Sequence, residues 1–130
     1  MQAPIAPMQG ERVFDGTFAL ISAATTNDTL IKVPRATGRC VRVYNGSITN
    51  YSVATKYVKL YDKATQPVVG TDVPRLTIAV PAGATAIFYA GDLGHEFLLG
   101  LGLGITGLQP DNDATAVAVG DVKVEVNYFL

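Results

Sequence analysis

The sequence predicts an all-β fold, an antiparallel β-sandwich or jelly roll of about eight strands with an extended N-terminal arm. Three observations lead there. Short runs of alternating apolar and polar residues recur every 8–14 positions, the two-residue period of half-buried strands. Turn chemistry from 13 Gly and 7 Pro separates the runs. No stretch of ten or more residues carries a 3.6-residue apolar period, so no helix is expected.

Taken in order, residues 1–16 stand apart. They hold two Pro, two Met and a polar run, Gln9-Gly10-Glu11-Arg12. They read as an arm without a core of its own. Residues 17–130 read as one β-sandwich domain, since 130 residues suit one domain rather than two.

Residues 17–24, TFALISAA, open the domain. Thr25-Thr26-Asn27-Asp28 is a turn cluster. Residues 29–33 form a second strand, which Pro34 ends. Residues 39–44 alternate strictly, and Asn45-Gly46 then predicts a tight turn because both residues tolerate positive φ. Residues 55–62, TKYVKLYD, give the clearest strand, with Tyr57, Lys59 and Tyr61 on one face and Val58 and Leu60 on the other.

A loop follows at 63–74. Residues 75–80 alternate again, Pro81-Ala82-Gly83 turns, and residues 85–90 form the next strand. Residues 93–107 hold one or two strands whose Gly residues leave half the positions bare, a sign of close backbone approach. Residues 108–115 are a polar loop. The final strand changes parity across Gly120-Asp121, which predicts a bulge or turn.

Composition narrows the function. Lys and Arg total 10, Asp and Glu 11, and the net charge is -1. That balance offers neither the basic footprint of a nucleic-acid binder nor a polybasic membrane patch. The longest apolar run, residues 97–108, is 12 residues long and Gly-rich, too short for a bilayer-spanning helix of about 20 residues. The first residues lack the basic start and apolar core of a secretory signal. Cys40 and His95 are the sole residues of their kinds, so one chain cannot assemble a Cys/His zinc site. No cofactor, metal or catalytic residue is expected.

Individual motifs point the same way. Cys40, beside Arg39 and Arg42, reads as a small apolar strand residue rather than a thiolate nucleophile, because no base accompanies it. The glycines from Gly100 to Gly107 lack the following helix that a phosphate-binding loop needs. Asp111-Asn112-Asp113 fails the EF-hand spacing and reads as a self-capping turn. His95 and Glu96 point to opposite faces of a strand, although Asp92 is near enough to reach His95. Tyr57, Lys59 and Tyr61 make an aromatic and cationic stripe suited to a subunit contact or a sugar.

Longer segments carry a resemblance. Tyr44 to Ser47, Tyr57 to Thr65, Pro67, Val69 to Asp72, Pro74 and Val80 to Gly83 follow the run YNxS, YVKLYNKAT, P, VGTD, P and IPAG. With the surrounding residues 22–128, the chain resembles a family of small structural proteins of tailed bacteriophages. Asp62 stands where that family carries Asn. The resemblance implies a virion component without catalytic residues, most specifically a head decoration (cement) protein on the capsid surface. It would act as a homo-oligomer, with a trimer favoured by the three-fold sites of shells, and its partner would be the major capsid protein. The expected interface residues are Ile5, Met8, Val13 and Phe14 on the arm, with Tyr57, Lys59 and Tyr61 on the stripe. Two alternatives accompany this reading. One is a tail or neck part. The other is a carbohydrate-binding module using Tyr51, Tyr57, Tyr61 and the Asp111-Asp113 loop.

Overall fold

The computed structural model describes residues 14–91 and 93–130. Its described elements are all β: β1 (Gly16–Ile21), β2 (Thr29–Lys32), β3 (Val41–Asn50), β4 (Lys56–Asp62), β5 (Leu76–Val80), β6 (Thr85–Tyr89), β7 (His95–Phe97), β8 (Leu101–Thr106) and β9 (Val122–Phe129). They make two antiparallel sheets. One runs β1-β9-β3-β6, with β7 also pairing β3; the other runs β2-β8-β4-β5. The chain passes repeatedly from sheet to sheet, and the last strand fills the gap between the first and third. This is the order of a jelly roll.

Alternation drives the assembly. Val122, Val124 and Val126 of β9 point inward with Val41, Val43 and Ile48 of β3. Leu101, Leu103 and Ile105 of β8 meet them from the other sheet, with Val58 and Leu60 of β4. Each such side chain contributes about 1.5–3 kcal/mol when fully removed from water. Two buried polar side chains, both beside Val122, close one end of this core. The Asn50 amide donates to the carbonyls of Ala54 (2.8 Å) and Val80 (2.9 Å) and accepts from the Ser52 amide and hydroxyl. The Ser22 hydroxyl donates to the Ala118 carbonyl and accepts from the Val122 amide.

Most of the expected turns form. Asn27 adopts φ 55°, and its side chain bonds the backbone of Ala23 and Thr25. Ala84 N–H donates to the Pro81 carbonyl across Pro81-Ala82-Gly83. At Gly120-Asp121 the parity change is a turn, with Gly120 at φ 77° and Asp121 N–H bonded to Ala118. The Gly-rich region holds two strands, β7 and β8.

Asn45-Gly46 does not turn. It lies mid-way along the ten-residue β3, where Asn45 pairs with Asn127 and Gly46 with Val126. Gly46 is required there for a different reason. A Cβ on it would overlap the Glu125 carbonyl and lie 2.6 Å from the Phe88 ring. Glycine at this position makes room for an aromatic side chain instead of a positive φ.

Candidate interaction faces

The two outer faces of the sandwich differ, and that difference organises the candidate site. On the β2-β8-β4-β5 sheet the outward residues are roofed by the chain's own loops. Gly102 and Gly104 of β8 leave room for Pro67 and Val69, which lie directly over them. The 107–117 loop reaches over Lys59 beside them, while Ala79 at the β5 edge stays exposed. The Lys59 ammonium donates to the carbonyls of Pro110 (2.7 Å) and Asp113 (3.4 Å).

The stripe expected on this face is therefore inside. Lys59 and Tyr61 are 0% and 1% exposed, so their side chains hold the roof rather than present to a partner. Tyr57 is half-buried. The notion of a sugar platform of Tyr51, Tyr57 and Tyr61 loses its third ring to the same cover.

Burial leaves electrostatic traces. It lowers the Lys59 pKa, against the opposing pull of Asp113 and Asp111. It pushes the Tyr61 hydroxyl up to about 12, helped by Asp28, Asp72 and Asp111. Among the described residues, that hydroxyl has no hydrogen-bond partner. Burial works against the Asp113 charge too. Hydrogen bonds from the Thr115 hydroxyl, the Thr115 amide and the Leu108 amide outweigh it and, with Lys59, hold the carboxyl below its usual range. The Asp111-Asn112-Asp113 segment is thus a capped turn. Among the described residues, no group of three or more His, Cys, Asp or Glu could hold a metal.

Among the described residues, no loop crosses the outward face of the other sheet. Registers place its outward residues in three cross-strand rows: Thr17, Asn127, Asn45 and Tyr89; Ala19, Glu125, Ser47 and Ile87; Ile21, Lys123, Thr49 and Thr85. Side chains bond along these rows. Thr17 donates to Asn127 (2.7 Å), Asn127 donates to Asn45 (2.7 Å), and the Thr49 and Thr85 hydroxyls lie 3.0 Å apart. Ile87, Ile21 and Tyr89 remain 82%, 63% and 59% exposed. A shallow groove of about 270 Å³ runs beside Ile87 and Tyr89, with Asn45, Ser47, Glu125 and Asn127 along its floor and far wall.

An aromatic row borders this groove. Phe14 lies 5.1 Å from Phe129 and 5.8 Å from Tyr44, and Tyr44 meets Tyr89 edge-on at 5.4 Å. Phe14 is the one arm candidate among the described residues, and it sits in this row. Ile5, Met8 and Val13 lie outside them.

A second hollow, of about 280 Å³, opens where the edge strands β5 and β6 face each other. Its lining is apolar and includes Val43, Leu76, Ile78, Phe88 and Phe97. At its rim Arg75 Nε donates to His95 Nε2 (3.1 Å), while Glu96 instead pairs with Arg42 (2.9 Å). His95 and Glu96 thus serve different neighbours. Asp92 lies outside the described residues. Cys40 is a free, half-buried thiol just before β3.

No family model matches the chain, and no curated protein matches it. Among solved structures, two of the Tobacco streak virus coat protein are similar, one a C2 crystal form and one described as a dimer. Both are 14% identical to this chain and cover 89% of it, over 89% and 88% of their own lengths. Their TM-scores are 0.33 and 0.36, too low to carry an argument about function.

Sequence reasoning missed the outward pair Ile87 and Tyr89 on β6. The signal was present in TAIFY, where Thr85, Ile87 and Tyr89 share one parity and Ala86 and Phe88 the other.

Proposed function

We propose that this chain is a non-enzymatic structural protein of a tailed-phage virion, most specifically a capsid decoration protein that works as a homo-oligomer, with a trimer favoured. The observation that carries the reading is the asymmetry of the two outer faces. Among the described residues, the chain's own loops lie over β4 and β8 on one face, and none crosses the regular, apolar-studded surface of the other. Jelly rolls serve many functions, so the fold alone decides little. The sequence resemblance over residues 22–128 supplies the virion context. In this reading the 1–16 arm is an extension of the 17–130 domain, and Ile5, Met8, Val13, Phe14 and Tyr57 contribute to contacts with neighbours or the shell. Stapling is the mechanism: each subunit joins neighbours, so the shell must break many contacts together.

Co-sedimentation with shells of the parent phage, before and after expansion, tests this. Saturable binding, with added resistance of the shell to heat, is the expected result. Absence of binding to either form overturns the capsid assignment.

A further inference from the structure

We propose that the hollow between the edge strands β5 and β6 is a binding site for a small aliphatic carboxylate, its hydrocarbon tail between the sheets and its carboxylate at Arg75 and His95. The inference stands apart from the virion reading, because it concerns the inside of the sandwich and not its outer faces.

Three observations support it. The first is the packing. β5 is the last strand of one sheet, and β6 and β7 border the other. Between them the hollow of about 280 Å³ reaches Val43, Leu60 and Phe97, which are at most 1% exposed. Protein interiors hold few voids larger than one water. An apolar void of about 150 Å³ already takes up a benzene ring. This space is nearly twice that, and it is lined almost wholly by carbon.

The second is how the sequence keeps the space. Phe88 is the large inward side chain of β6, and its ring lies against Gly46 of β3, where a Cβ would stand 2.6 Å away. The ring therefore leans onto its own sheet. Ala90, next on the same parity, adds a single methyl to the wall. Leu76 and Ile78 on the facing wall stay half-buried although they point inward.

The third is the rim. Arg75 Nε donates to His95 Nε2 (3.1 Å), which leaves the ring N–H on Nδ1. Among the described residues, that N–H bonds nothing. The Arg75 guanidinium sits 5.8 Å from the centre of the Phe97 ring. Its Nη1 is 3.8 Å from Asp62, too long for a hydrogen bond. Both side chains thus keep donors for an acceptor, and no Asp or Glu is among the described lining residues. An apolar interior with cationic and neutral donors at its mouth matches a hydrocarbon tail that ends in a carboxylate.

Titration of the full chain with sodium octanoate, followed by methyl NMR, tests this, with octan-1-ol as the uncharged probe. Octanoate is expected to saturate one site and to shift the methyls of Val43, Leu60, Leu76 and Ile78. Octan-1-ol is expected to shift the same methyls with about tenfold weaker affinity, the difference a charge-assisted hydrogen bond makes. Arg75→Gln alters a side chain 42% exposed, so Tm should hold while octanoate affinity falls to that of octan-1-ol. Ala90→Leu fills the hollow and should abolish binding of both probes; Arg75→Gln decides the matter if that variant fails to fold. Shifts that never saturate, shifts centred outside the hollow, equal affinity for the two probes, or wild-type octanoate binding by Arg75→Gln each overturns the proposal.

Discussion

The Lys59 ammonium donates a 2.7 Å hydrogen bond to the Pro110 carbonyl, tying β4 to a loop 51 residues further along the chain. A buried cation held by carbonyls is costly to desolvate, and its bonds recover part of that cost. Lys59→Met keeps the stem and removes both bonds. Urea unfolding should show a loss of about 1–3 kcal/mol. Hydrogen exchange should rise most between residues 107 and 117. Unchanged exchange there would mean the loop is held by its Asp113 turn alone.

Tyr61 gives the opposite expectation. Its buried hydroxyl lacks a partner among the described residues, and an unsatisfied group of that kind costs about 1–3 kcal/mol. Tyr61→Phe should therefore raise the urea midpoint at pH 7. The phenol titrates near 10 when unfolded and near 12 when folded, so between those values the folded state holds the proton that the unfolded state has lost. Stability is complete below pH 10 and falls as pH rises towards 12, by about 2–3 kcal/mol. Tyr61→Phe should flatten that alkaline limb.

At the acid end, Asp72 and Asp113 both titrate below their usual range. Hydrogen bonding from Lys63 and the Val68 amide does this for Asp72. For Asp113, hydrogen bonds prevail over burial. The unfolded chain thus takes up protons first as pH drops through about 4, and stability falls from there down to the folded pKa values. Asp113→Asn should make the decline between pH 5 and the acid unfolding point shallower, while lowering stability at pH 7.

Gly46→Ala tests the close packing within β3. Its Cβ would collide with the Glu125 carbonyl, which belongs to a sheet ladder and cannot rotate away. A loss of about 3 kcal/mol or more is expected, at the upper end for overpacking. Gly83→Ala provides the contrast. Nothing lies within 4 Å of the new Cβ, and a positive φ is the sole strain, so about 1–2 kcal/mol should be lost.

Local periodicity revealed most strands directly. Alternation in TKYVKLYD and LTIAV reports side chains one residue apart, and it needs no knowledge of distant partners. Asn45-Gly46 failed because turn chemistry is a local preference, and here the partners on β6 and β9 override it. The fate of Lys59 and Tyr61 was hidden for a related reason. Strand parity shows that they share a face, but their cover comes from residues 63–75 and 107–117. The one clue was indirect: Gly102 and Gly104 leave a trough, and a trough implies something lying in it. The open face was harder to see still, because exposure of Ile87 depends on what fails to cross it.

The two faces also record different constraints. Changes at Gly102, Gly104 or Lys59 are judged by whether the chain folds. Changes at Ser47, Ile87 or Glu125 leave the roof and core untouched, so folding exerts little selection on them. A substitution library sorted first for solubility and then for assembly would separate the two kinds of pressure. Positions that pass the first sort and fail the second would trace the outline of whatever binds this surface.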